Sequence, residues 1–345
     1  MNKIPGKTMD RWHRGPFWGS QETGCYIPPY PKHLSLTEVL METRYPRALL
    51  ISCEIPWSDK EELLEDVFCS EVQATLGNGF NHLYIFGTAG EGYAVTLSQF
   101  KQIVQIFHEE VDKPGIHPMV GIIGMSTGQV VERIGFARDV GFRTFQVALT
   151  PWGELDDEEY MIYFSDVCGT FPDCRFIHYN LPRGRRLLRG EDYRRLADAI
   201  PNIAGTKNTR SDIGDVVDLA TKSPELQHFY GELGFPIGCL YGECSLLSSY
   251  GALFPKKTKE FYQYGVDKNW QKLFPMLAEY ERVMTDFDVP TLAREGIDGC
   301  YDKMIVRGSG IDMPLRLLSP YKCFDMEVYE AVMKNIRDRY PDWLV

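Results

Sequence analysis

The 345-residue sequence lacks several features that mark whole classes of protein. None of its nine cysteines has CxxC spacing to another, so neither a zinc site nor a dithiol redox motif is predicted. No apolar run approaches the roughly 20 residues of a transmembrane helix, and residues 1–27 lack the apolar stretch of a signal peptide. We therefore expect a cytoplasmic protein with reduced, mostly buried thiols.

Basic side chains are also scarce. The chain has 37 Lys and Arg against 48 Asp and Glu, which gives a net charge of −11. Such a chain repels a polyanion, so we expect no binding to nucleic acid. The seven histidines are scattered, and three of them, His82, His117 and His228, lie at or near the starts of predicted strands. Metal-dependent catalysis needs clustered His and carboxylate ligands, so we predict no metal and no cofactor.

Beyond residue 48, short apolar runs alternate regularly with longer amphipathic stretches. Eight runs are rich in Ile, Val, Phe and Leu and are bounded by Gly or Pro, which is typical of strands. They are Leu49–Ile55, His82–Phe86, Pro118–Ile123, Thr144–Leu149, Arg175–Tyr179, Asn202–Lys207, Leu226–Tyr230 and Ser245–Ser249. Strands that alternate with helices predict a closed (β/α)₈ barrel. A doubly wound sheet is the alternative, disfavoured because no G-x-G-x-x-G follows the first strand.

This pattern divides the chain into three predicted parts. Residues 1–45 are rich in Pro, Gly and aromatics and predict an irregular extension, whose apolar segments we expect to pack on the main body or on a neighbouring subunit. Residues 46–255 are the predicted barrel. Residues 256–345 predict a C-terminal helical region appended to it.

The helices have recognisable starts and ends. Capping boxes are predicted at residues 58–61 and 96–99, where Ser or Thr precedes Glu or Gln by three positions. After the barrel, the pattern is helical to about residue 287 and loop-like over residues 288–310. A last helix is predicted over residues 326–339.

The reactive groups of a (β/α)₈ barrel lie at the carboxyl ends of its strands, and Lys207 ends the sixth run. Ile203, Gly205 and Lys207 share one face of that strand, because successive side chains alternate. If this face points inwards, burial disfavours the charged amine and lowers its pKa. A neutral amine can attack a carbonyl carbon and form an imine. The alternative is a lysine at a strand end that reaches solvent.

Two further segments end on the same rim. Tyr179 ends the fifth run, next to Lys207, and its phenol can relay protons during imine formation and C–C cleavage; core packing is the alternative. After the second run, residues 87–91 form a Gly-rich loop whose amides suit a carboxylate. The hydroxyl of Thr88 can join the relay. A tight βα turn is the alternative explanation for this loop.

Together these residues resemble the dihydrodipicolinate synthase / N-acetylneuraminate lyase family of class I Schiff-base aldolases. The resemblance covers roughly residues 48–340, and it is specific because the lysine follows the tyrosine of YNLP by 28 residues (207 minus 179). The segments that carry it are GTAGEG at 87–92, TPW at 150–152, YNLP at 179–182, GTK at 205–207 and residues 248–255.

The resemblance implies a lyase in which Lys207 forms the imine with pyruvate or a related 2-oxo acid. Tyr179 is then the proton shuttle and Thr88 its partner. The predicted substrate-binding residues are Gly87, Ala89, Arg183, Gly231 and Leu247. The resemblance also implies a homotetramer or dimer that needs no metal and takes an aldehyde or sugar acid as its other substrate.

Three positions depart from the family pattern. Ala89 stands where the family often has a second hydroxyl. Gly153 stands where the synthases place a second tyrosine, which completes a relay across the subunit interface. Gly184, flanked by Arg183 and Arg185, stands where they carry an arginine for the second substrate's carboxylate. A sugar-acid aldolase or dehydratase, or another 2-oxo acid lyase, therefore stays open, as does a non-catalytic or regulatory 2-oxo-acid-binding relative.

Overall fold

The computed structural model describes residues 44–210, 212–291 and 296–344. Eight parallel strands pair in chain order, and the eighth pairs with the first, so the sheet closes into a barrel. The strands are β1 Leu49–Ser52, β2 His82–Ile85, β3 His117–Ile122, β4 Thr144–Val147, β5 Arg175–Asn180, β6 Ile203–Asn208, β7 Gln227–Tyr230 and β8 Ser245–Ser248. Each strand overlaps its predicted run, and the predicted (β/α)₈ fold is confirmed.

Eleven α-helices lie in the described ranges, and the first eight of them each follow one strand. They are α1 Glu65–Gly77, α2 Leu97–Val111, α3 Thr127–Val140, α4 Asp157–Thr170, α5 Gly190–Ala199, α6 Ile213–Lys222, α7 Phe235–Tyr241, α8 Pro255–Val266, α9 Trp270–Asp288, α10 Asp298–Gly308 and α11 Met326–Arg339. None of these helices is both long and apolar enough to cross a bilayer. The predicted extension over residues 1–45 lies almost wholly outside the described residues, so the three-part division stays a prediction.

One of the two predicted capping boxes is confirmed and the other is wrong. The Thr96 hydroxyl accepts from the Gln99 N–H at 3.2 Å, and the Gln99 side chain accepts from the Thr96 N–H at 2.9 Å. The Ser58 hydroxyl instead accepts two N–H groups of a tight turn. Glu61 in this turn has a left-handed φ of 61°, so no helix starts there and α1 begins only at Glu65.

The prediction for the C-terminal region is confirmed at α11 and wrong for residues 288–310, which contain α10. Seven of the eleven residues of α10 are buried, including the charged Asp302 and Lys303. These buried charges interrupt the apolar period from which a helix is recognised in sequence. A Cβ added to Gly299 would lie 2.7 Å from the Ala89 carbonyl oxygen, so α10 packs tightly on the loop that follows β2.

Two layers of side chains form the core. A small cluster fills the barrel interior, and a large one lies between the barrel and its helices. His178 belongs to the outer layer, as expected from its alternation with Tyr179, and its Nδ1 lies 2.7 Å from the Tyr193 hydroxyl on α5. His82 and His117 stack at the amino end of the barrel, with ring centroids 4.5 Å apart. The described residues contain no cluster of three metal-binding side chains.

Candidate active site

Lys207 lies inside the barrel at the carboxyl end of β6. It pairs in register with Tyr179 of β5, and its side chain is only 2% exposed. Its Nζ donates to the Tyr84 hydroxyl at 3.0 Å. The same nitrogen lies 3.9 Å from the Tyr179 ring centroid and 4.3 Å from that of Tyr84. The amine is therefore enclosed between two phenol rings, and the alternative of a solvent-reaching lysine is wrong.

The environment of Lys207 favours the neutral amine. Burial lowers its pKa to about 7, and the charges of Asp298, Asp302 and Glu54 only partly oppose this shift. A lysine that keeps its ordinary pKa near 10.4 is almost wholly protonated at neutral pH and cannot attack a carbonyl. Here a large fraction of the amine is uncharged at that pH.

Tyr179 and Thr88 form a second pair beside the lysine. The Tyr179 hydroxyl lies 3.1 Å from the Thr88 hydroxyl, and both side chains are buried. Burial raises the pKa of Tyr179, and the hydrogen bond to Thr88 opposes this in part. The phenol therefore keeps its proton at neutral pH and can donate it. The structure brings together the three residues that the sequence predicted as catalytic.

The loop that follows β2 approaches the amine closely. A Cβ added to Gly87 would lie 3.4 Å from the Lys207 Nζ and 2.9 Å from the Tyr84 ring, so only glycine fits. Phe86, which precedes this loop, has a left-handed φ of 63°, which is backbone strain of the kind found at functional sites. In the described structure the N–H groups of Thr88 and Ala89 donate to no other group, which leaves them available to an anion.

Glu91 anchors the other end of this loop. One of its carboxylate oxygens accepts from the Lys303 Nζ at 2.6 Å and from the Trp57 Nε1 at 2.8 Å. The other accepts from the Leu318 N–H at 2.6 Å. The side chains of Glu91 and Lys303 are both fully buried. This ion pair ties the loop to α10 and to the segment that follows it.

The remaining predicted substrate-binding residues differ in their surroundings. A Cβ added to Gly231, just after β7, would meet nothing within 4 Å, so space is open there. Leu247 packs against the cluster inside the barrel. Arg183 is exposed and forms a two-point ion pair with Asp298 of α10, with N–O distances of 3.2 and 3.3 Å. Its guanidinium already has a carboxylate partner.

Two buried acids were missed in the sequence. Burial raises the pKa of both Glu54 and Asp302; the charge of Glu91 adds to the shift of Glu54, and the charge of Glu54 adds to that of Asp302. Both exert their charge on Lys207. An acidic residue inside the apolar run Leu49–Ile55 was a readable signal for Glu54. Asp302 had no such signal, because the helix that carries it was predicted as a loop.

Tyr84 is the third residue that sequence reasoning missed, because an aromatic in a strand is usually core. It belongs to the small cluster inside the barrel, whereas its neighbours Leu83 and Ile85 belong to the outer layer. The two-residue period that placed Lys207 inwards therefore also places Tyr84 inwards. The two-residue alternation along β2 could therefore have identified Tyr84 as an inward-facing residue from the sequence.

The closed parallel barrel and the buried Lys207 between two tyrosines define a (β/α)₈ protein with a lysine amine at the carboxyl end of its strands. Comparison with known families agrees with this class. The model of the Dihydrodipicolinate synthetase family matches residues 47–293, and the chain belongs to this family.

Relatives and solved structures are similar over most of the chain. The 4-hydroxy-tetrahydrodipicolinate synthase of Sulfurimonas denitrificans is 22% identical over 79% of this chain and 92% of that enzyme. The N-acetylneuraminate lyase of Escherichia coli is 20% identical over 54% of this chain and 62% of that lyase. Membership and these relatives support a lyase of the Schiff-base aldolase type.

Two solved structures show the same fold. YagE, a prophage protein of the dihydrodipicolinic acid synthase family from Escherichia coli K12 in complex with pyruvate, has a TM-score of 0.76 and 16% identity, and the match covers 84% of this chain and 98% of that one. A putative dihydrodipicolinate synthase family protein from Coccidioides immitis has a TM-score of 0.72 and 20% identity, with 86% and 96% covered.

Proposed function

We propose that this protein is a class I lyase in which Lys207 forms a Schiff base with pyruvate or a related 2-oxo acid, for aldol cleavage, condensation or dehydration. One observation carries the proposal: Lys207 is 2% exposed, and its amine lies between two phenols and has a pKa lowered to about 7. The structure of YagE in complex with pyruvate supports the choice of a 2-oxo acid.

The neighbours of Lys207 suit the two ends of such a substrate. The unengaged N–H groups of Thr88 and Ala89 can hold the carboxylate, as oriented amides bind anions. Tyr179, paired with Thr88 at 3.1 Å, can give or take the proton when a bond to carbon is broken or formed. The open space at Gly231 leaves room for the substrate.

We propose an aldehyde or a sugar acid as the other substrate. The two positions at which the synthases carry a tyrosine and an arginine are Gly153 and Gly184 here. Arg183, the neighbouring cation, is already paired with Asp298. This supports a second substrate that needs no arginine at position 184. Trp152, 84% exposed in the single chain, supports a homo-oligomer, since aromatic side chains are enriched at subunit interfaces.

Reductive trapping tests the function. The protein is incubated with pyruvate, and in parallel with glyoxylate and 2-oxobutyrate, then reduced with borohydride and digested for peptide mass mapping. We expect a stable adduct on the peptide that contains Lys207. No adduct with any of the three acids, in a protein that circular dichroism shows to be folded, would overturn the lyase proposal and favour the non-catalytic, 2-oxo-acid-binding relative.

The lowered pKa of Lys207 predicts how adduct formation depends on pH. Protonated amine cannot attack, so the rate rises as pH increases through the pKa of about 7 and levels off above it. Samples incubated with pyruvate between pH 5.5 and 9 and quenched into borohydride at one fixed pH measure this rate. A rate that keeps rising tenfold per pH unit up to pH 9 would show that the amine keeps an ordinary lysine pKa.

A further inference from the structure

The two phenols beside Lys207 contact it in different ways. Tyr84 places its hydroxyl oxygen 3.0 Å from the Nζ, as the acceptor of the only hydrogen bond that this amine makes to the described residues. Tyr179 offers the face of its ring, with the centroid 3.9 Å away, while its own hydroxyl is engaged with Thr88. Of the two hydroxyls, only that of Tyr84 is therefore hydrogen-bonded to the reacting nitrogen.

The position of Tyr84 is fixed by its surroundings. It lies on β2, pairs in register with Ser52 of β1 and is 4% exposed. The Gly87 backbone closes against its ring, since a Cβ there would lie 2.9 Å from the ring carbon Cε2. Burial raises the pKa of Tyr84 well above its usual value, and the nearby Tyr179 and Glu54 add to this. The phenol is thus neutral and holds its proton at neutral pH.

We propose that Tyr84 is a catalytic residue that transfers the proton when the carbinolamine forms, and that the Tyr179–Thr88 pair serves the later bond change at carbon. The inference rests on the proposed function. The Nζ lone pair forms the C–N bond and the carbonyl π pair moves onto oxygen. An Nζ proton passes to the Tyr84 oxygen as the phenolic proton of Tyr84 passes to the substrate oxygen, which gives the carbinolamine. The same exchange then moves the second Nζ proton through Tyr84 to the new hydroxyl, the C–O bond breaks, and water leaves to give the imine that borohydride reduces. The phenol is neutral before and after.

The proposed role of Tyr84 compensates for the absence of a second tyrosine at position 153, where this chain has Gly153. The family resemblance implies that a relay tyrosine at position 153 would act across a subunit interface, whereas Tyr84 belongs to the same barrel as Lys207. Two phenols are therefore present within one chain, one on the amine and one on the Thr88 hydroxyl. The site keeps two proton-carrying groups without a residue from a neighbour.

The test compares three variants in the trapping assay, now followed in time. Tyr84→Phe keeps the ring and removes the hydroxyl, and we expect it to form the Lys207–pyruvate adduct about 10²–10⁴-fold more slowly, the usual contribution of a general acid–base group. Tyr179→Phe is expected to form the adduct within a few-fold of the wild-type rate but to turn over slowly. Tyr280→Phe, which removes a buried hydroxyl bound to Thr258 in the C-terminal helices, is the matched control.

The outcomes separate the two proposals. Slow trapping by Tyr84→Phe alone supports the assignment, provided that its melting temperature stays near that of Tyr280→Phe. Trapping of Tyr84→Phe at the wild-type rate overturns the role of Tyr84 and leaves the lyase intact. If Tyr179→Phe slows trapping as much as Tyr84→Phe does, the division of labour is wrong. If the wild type forms no adduct, the proposed function fails and this inference fails with it.

Discussion

Lys207→Ala is expected to abolish turnover, with kcat falling by about 10⁵–10⁶-fold, the size of loss seen when a covalent nucleophile is removed. The reason is geometric. The amine is enclosed by Tyr84 and Tyr179, and Lys303, which binds the loop that follows β2, is held in a fully buried ion pair with Glu91. We therefore expect no second amine of the described residues to replace it at the carbonyl carbon. Turnover is measured with whichever 2-oxo sugar acid, or aldehyde plus pyruvate, the wild type accepts.

The control for this variant is Lys334→Ala. Lys334 is 76% exposed on α11 and pairs with Asp338, so its loss removes a lysine without touching the site. We expect wild-type kcat from Lys334→Ala and no borohydride-trapped adduct from Lys207→Ala. Circular dichroism shows whether both variants are folded. Wild-type turnover in a folded Lys207→Ala protein would end the lyase proposal.

Lys303→Met is expected to cost roughly 3–5 kcal/mol of unfolding free energy, because it leaves the Glu91 carboxylate buried without its countercharge. Both side chains of the pair are fully buried, and the N–O distance is 2.6 Å. Since Glu91 also binds Trp57 and Leu318, the loss loosens the support of the loop that follows β2. Chemical denaturation monitored by fluorescence and circular dichroism measures the change, and activity is expected to fall with it.

Two further variants test whether the unpaired buried charge of Glu91 causes the loss of stability in Lys303→Met. Lys303→Met combined with Glu91→Gln removes both charges and should regain part of the lost stability, since removing a whole buried pair costs less than breaking it. Lys334→Met breaks the exposed pair with Asp338 and should change stability by at most about 1 kcal/mol, the range for surface pairs. A loss below about 1 kcal/mol for Lys303→Met would contradict the expected stabilising role of this buried pair.

Prediction from sequence was most reliable where a pattern depends on local periodicity. The eight apolar runs match the eight strands, and the confirmed box at Thr96 and the last helix at Met326–Arg339 follow from spacing alone. It was wrong at Ser58, where a left-handed residue three positions on stops the helix, and at α10, where buried charges hide the apolar period. Both errors arise because tertiary contacts can outweigh a local signal.

The sequence by itself determined the barrel and the positions of Lys207, Tyr179 and Thr88 on its rim. Side chains alternate along a strand, so the sequence shows which residues share a face. The reactive groups of a (β/α)₈ barrel lie at the carboxyl ends of its strands, so the ends of the predicted runs show where the site lies. Only the tertiary structure decided that the Tyr84 hydroxyl lies on the amine, that Glu54 and Asp302 lie near it, and that Asp298 pairs with Arg183. These interactions join residues up to 153 positions apart (207 minus 54). Closure of the barrel and the packing of α10 create them, and no local period encodes either.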